Sequence, residues 1–96
     1  MLSNDQIRSV AEEIRRSADE RIHQTPESRE ADQFLWESVR HACHVVEAVA
    51  EMERGELTNG DRVRRMQYVL SELETATEVA RRARQTARWR ERADEA

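Results

Sequence analysis

Thirty consecutive residues, Arg62 to Glu91, contain neither glycine nor proline, and their apolar positions keep a regular beat. Met66, Leu73, Ala80 and Ala87 recur every seven residues, and Val69, Ala76 and Ala83 recur every seven between them. Alternating steps of three and four put all seven side chains on one stripe of a long α-helix and leave the charges outside it. Such a stripe needs covering, and the rest of the chain supplies helices to do it.

Ser3 and Gln6 have the spacing of a capping box, and Leu2 and Ile7 sit where a hydrophobic staple closes. Ile7, Val10, Ala11, Ile14, Ala18 and Ile22 then mark one face of a first helix that stops near Gln24. Pro26 suits the first position of a second helix, where its missing N–H is harmless. That helix runs to Arg54, and its apolar residues cover roughly half its circumference, which suits a central helix touched on two sides. Gly55 fits the position just past its end. Thr58 and Asp61 form the capping pair of the third helix. The sequence therefore predicts an all-α chain, an antiparallel three-helix bundle with helices over 3–24, 26–54 and 59–92. It forms a single helical domain over 1–96 with the last few residues frayed.

The unequal helix lengths add a feature. Folded antiparallel, the first helix begins beside Val46, so the second and third helices protrude as a hairpin tip about 8 residues, or 12 Å, long. Val49, Met52, Leu57, Val63, Met66 and Tyr68 sit on that tip, and apolar surface left open in this way marks a contact site. At the other end, Ala76, Ala80, Ala83 and Ala87 are small and face the large Ile14, Ile22, Phe34 and Leu35.

Composition limits what such a chain does. Leu, Ile, Val and Phe number 17 of 96 residues, so the core is small, while twelve alanines and closely mixed charges favour long helices over disorder. The single Cys43 excludes an internal disulfide and a cysteine zinc cluster, and it fits a reducing, cytoplasmic setting. The first residues show no signal-peptide pattern, and no apolar run is long enough to span a membrane. All sixteen basic residues are arginine, as a GC-rich coding sequence would give.

Few residues suggest chemistry. Glu37, His41 and His44 lie within roughly 60° of one another on the second helix, a donor set of the kind that binds divalent metals. Their face points away from the apolar stripe, so solvated side chains and no metal are expected. Glu20-Arg21-Ile22-His23 has the letters of a Glu-x-x-His motif but lies opposite the Ile7–Ile14–Ala18 face. Cys43 lies at the edge of the apolar surface as a packing residue. Arg16 and His23 share a spacing found in helical ribonucleases of the HEPN class; here it falls in the first helix rather than a late one, and no assignment follows. There is no glycine-rich phosphate loop and no Ser-His-Asp grouping, so neither catalytic residues nor a cofactor are expected.

Charge is the last signal. Residues 1–60 carry seven arginines against thirteen acids, whereas residues 81–96 carry six against three. Arg81, Arg84, Arg88 and Arg92 form a stripe about 16 Å long, with Trp89 beside it, that could contact phosphate or an acidic protein. The reading that results is a small non-enzymatic helical interaction module, a regulator or inhibitor acting on a protein partner or as a homodimer. A nucleic-acid-binding protein using the arginine stripe is the alternative.

Overall fold

The computed structural model describes residues 1–95, the side chains of Arg54 and Glu95 excepted. It contains α1 (Asn4–Gln24), a 3-10 turn (Glu27–Arg29), α2 (Glu30–Arg54) and α3 (Asn59–Glu95), with no strand among the described residues. The chain is the all-α three-helix bundle that the sequence predicts. α3 runs past the expected end at Arg92, and its 37 residues account for the 58 Å long axis of the molecule.

The helix starts follow from local hydrogen bonding. The Ser3 N–H donates to Gln6 Oε1 at 2.8 Å and the Gln6 N–H donates to Ser3 Oγ at 3.2 Å, which completes the capping box. The Asp61 N–H donates to Thr58 Oγ1 at 3.1 Å at the head of α3. Thr25 closes α1, since its N–H and its hydroxyl both donate to the Arg21 carbonyl.

The start of α2 departs from expectation. Pro26 leads into the 3-10 turn, and the α-helix begins only at Glu30. An arginine of α3 reaches this turn. The two Nη atoms of Arg90 donate to the Ser28 and Glu27 carbonyls, each at 2.7 Å. In a continuous α-helix those carbonyls would accept from Asp32 and Ala31. Gly55 also differs from expectation, because it leaves α2 in an extended conformation (φ −104°, ψ 152°) that any residue adopts.

Both α1 and α3 pack antiparallel on α2. Arg15 pairs with Glu47 and Asp19 with Arg40, each at 3.3 Å, and the Arg21 guanidinium lies 4.8 Å from the centre of the Trp36 ring. On the other side Arg65 pairs with Glu51, and the Ser38 hydroxyl donates to the Ala76 carbonyl at 2.9 Å. Among the described residues no Cα of α1 comes within 8 Å of a Cα of α3. The central role of α2 is as the sequence predicts, but the bundle is open, a layer folded about α2.

That openness leaves a thin core. The buried residues are Ala11, Ala18, Ile22, Cys43, Ala48, Ala50, Met52, Ala76 and Ala83, and no large side chain among the described residues is fully buried. Of the expected stripe on α3, Ala76 and Ala83 are buried and Val69 and Ala80 half-buried, whereas Met66, Leu73 and Ala87 are exposed. A helix with a single neighbour has only part of its circumference covered, and the seven-residue stripe is wider than that contact. Ile14 and Leu35, expected against the alanines of α3, are exposed as well: Ile14 because α1 does not reach α3, and Leu35 because it lies on the part of α2 that faces neither neighbour.

Candidate functional site

The two sides of the open layer differ in chemistry. α2 meets α1 through Trp36, Arg40 and Glu47 and meets α3 through Ser38, His41, His44 and Glu51. At 100° per residue, these two sets of contacts divide the rest of α2 into a narrow polar arc and a wider arc carrying Leu35, Val39, Ala42, Val46 and Val49. Ile7 of α1 joins Val45, Val46 and Val49 in a groove at one end of the wide arc, and Leu35 and Val39 line another at its far end. Val10 and Ile14 extend the α1 flank of this side. On α3, Tyr68 and Glu72 turn to the polar side, and about two-fifths of a turn away Val63, Met66, Leu70 and Leu73 turn to the apolar one. The large residues Val10, Ile14, Leu35, Val46, Val49, Val63, Met66, Leu70 and Leu73 each keep between 41% and 58% of their surface exposed. Gathered on one side of the fold, they differ from singly scattered apolar residues, which need no explanation.

The six residues predicted at the hairpin tip separate into three groups. Val49, Val63 and Met66 belong to the apolar face. Met52 is buried and Leu57 half-buried, the latter folded back so that its Cγ would lie 3.6 Å from a Cβ at residue 55. Tyr68 is half-exposed on the polar side, where burial first, and then the charges of Glu72 and Glu47, raise its pKa. The tip is also shorter than expected. Asn4 shares a groove with Val49, Ala50 and Glu53, so α1 reaches well beyond Val46. Sequence reasoning placed the open apolar surface at one end; in the structure exposed apolar residues run along most of one side, and Leu70 is a member it passed over.

The polar side holds the most concentrated chemistry. His41 and His44, expected in solvent, are half-buried between α2 and α3. The residue that joins them is Glu72 of α3, not Glu37. His41 Nδ1 lies 2.7 Å and His44 Nδ1 3.3 Å from the same oxygen, Glu72 Oε2. The rings meet edge to face with centroids 6.0 Å apart. Burial pushes the Glu72 carboxyl upward, but the hydrogen bonds from His41 and His44 and the pull of their charge outweigh it, so the group is held below the ordinary carboxylate value. An ionised carboxylate only accepts, so both Nδ1 atoms donate to it. Donor atoms of the three residues lie within 4.8 Å of one another, a set able to hold a metal ion. Glu72 was legible as a charge interrupting the half-buried side of α3, but its partners depend on the α2–α3 register.

Arg81, Arg84, Arg88 and Arg92 are all exposed and prolong the Val63–Met66–Leu70–Leu73 flank toward the end of α3. Trp89 is 71% exposed, and the ring that does stack under an arginine is Trp36. Cys43 is buried with its pKa raised, by burial first and then by Glu47, against a smaller opposing effect of Arg15. Arg16 pairs with Glu12, and His23 Nδ1 lies 2.8 Å from the Asp19 carbonyl, so each keeps to its own turn of α1. No helix among the described residues is long and apolar enough to cross a membrane. Comparison with protein-family models, with curated proteins and with solved structures gives no match.

Proposed function

We propose that this chain is a non-enzymatic helical interaction module that closes its apolar face on a second copy of itself. The observation that carries the reading is the pairing of a core made mostly of alanine with large side chains left open along one side. Burying the exposed half of one such side chain is worth about 1 kcal/mol. Several must therefore be covered together to offset the roughly 4–15 kcal/mol that association costs. A second copy suits the face because the face is self-complementary. In its α1–α2 half one groove carries Glu53 and, among the described residues, no base, and the other carries Asp32 beside Arg21 and Arg29, while its α3 half is prolonged by four arginines. A two-fold rotation that lays the α3 of each copy over the α1–α2 grooves of the other brings the arginine end of one α3 toward the groove with Glu53.

The test is the mass in solution by light scattering. A dimer has twice the chain mass of 11.3 kDa, and the pair Val46→Glu with Leu70→Glu yields a monomer whose helical circular dichroism is retained. A wild-type protein that stays monomeric at the highest soluble concentration overturns the reading.

A second reading rests on the exposed Arg81–Arg84–Arg88–Arg92 stripe, which could follow a nucleic-acid backbone. Binding of that kind weakens steeply with salt and is lost with Arg84→Glu plus Arg88→Glu. Indifference to either change removes it.

A further inference from the structure

We propose that His41, His44 and Glu72 form a binding site for a divalent transition-metal ion, with zinc the natural occupant, that staples α2 to α3. The donor set is two imidazoles and a carboxylate, which suits zinc, and three protein ligands leave a fourth tetrahedral position for water. The geometry needs little change. Ligand distances of about 2.0–2.2 Å set tetrahedral donor atoms about 3.4 Å apart. His44 Nδ1 and Glu72 Oε2 already lie 3.3 Å apart, and all three donors fall within 4.8 Å. The 2.7 Å contact of His41 with Glu72 must open by less than about 1 Å, and the two imidazole donors, which lie within 4.8 Å of each other, must settle near the tetrahedral spacing.

Position favours binding as well. His41 and His44 stand one turn apart on α2, a spacing the helix backbone fixes, and Glu72 comes from the neighbouring helix. All three are half-buried, so the carboxylate is less completely solvated than a surface acid. When Nδ1 takes the metal, the proton it donated to Glu72 moves to Nε2 of a neutral ring or leaves to solvent from a charged one. Because the ion bridges two helices and so binds the folded state, it stabilises that state with the logarithm of its excess over the dissociation constant.

Tag-free protein treated with chelator and then dialysed is titrated with zinc by calorimetry, and its thermal unfolding is followed with and without the ion. One zinc ion binds per chain and raises the midpoint, and cobalt gives the intense visible absorption of tetrahedral coordination. Glu72→Gln, His41→Gln and His44→Gln each weaken zinc binding by about tenfold or more, whereas His23→Gln leaves it unchanged. Glutamine preserves the helices, and circular dichroism of each variant verifies it. Should a ligand variant fail to fold, the wild-type titration decides alone. An unmoved midpoint in excess zinc overturns the site, as does a rise that survives in the His41→Gln, His44→Gln double variant.

Discussion

Cys43 is a buried thiol one residue from His44, and its sequence neighbours invite a reactive reading. The structure gives the opposite chemistry. Desolvation and the nearby Glu47 carboxylate both disfavour the thiolate, and Arg15 only partly compensates. The raised pKa means a smaller thiolate fraction at any pH below it, and the thiolate is the reacting species. Labelling by a thiol reagent at neutral pH is therefore expected to run slower in native protein than in denaturant by about tenfold or more. Equal rates would show that the side chain is open. The sequence placed Cys43 at the edge of the apolar surface, which is close to what is found. His41 and His44 were harder to place. They lie on a polar arc of α2, and polarity alone does not distinguish a solvated arc from one covered by a neighbouring helix that brings its own carboxylate.

At the scale of elements, helix starts were legible where a side chain next to the start decides them, as Ser3 with Gln6 and Thr58 with Asp61 do. The start of α2 was not, and its 3-10 turn is held in part by a residue more than sixty positions away. Arg90 donates to two carbonyls of the 3-10 turn, one of which also accepts from the Glu30 N–H, and its 3.9 Å approach to Glu30 at the surface adds little. Arg90→Ala is expected to cost about 1 kcal/mol, measured by urea unfolding, and to speed amide exchange in the last turns of α3. Arg90→Lys should recover only part of the loss, since an ammonium lacks the planar fork that spans both carbonyls. Exchange in α3 that ignores both substitutions would show that the contact anchors nothing. The stripe from Met66 to Ala87 gave α3 its length and period, but not its rotation about its own axis. Seven positions fit one face of a helix with two neighbours, and α3 has one.

For the molecule as a whole, three antiparallel helices and a central α2 could be read from spacing and short connections. The failure of α1 to meet α3 could not. It arises because α2 presents polar side chains on the arc between its neighbours, where Arg40 and Glu47 bind α1 while His41 and His44 reach Glu72. Ion pairs and hydrogen bonds occupy the space that a third helix–helix contact would fill with apolar residues. If the opposite face pairs with a second copy, stability depends on protein concentration. The thermal midpoint should rise as the protein is concentrated and stop rising in the Val46→Glu, Leu70→Glu variant; a wild-type midpoint independent of concentration would argue for a self-sufficient monomer.

The separation of α1 from α3 also makes tolerance to change uneven along the chain. Every path between the first helix and the last runs through α2, so α2 is the one shared wall of a house with two rooms. A helix-breaking change in α1 strikes a single partnership, and the same change in the middle of α2 strikes both together. Damage at that wall should unfold the chain as a unit, whereas damage at either outer helix leaves a recognisable half standing.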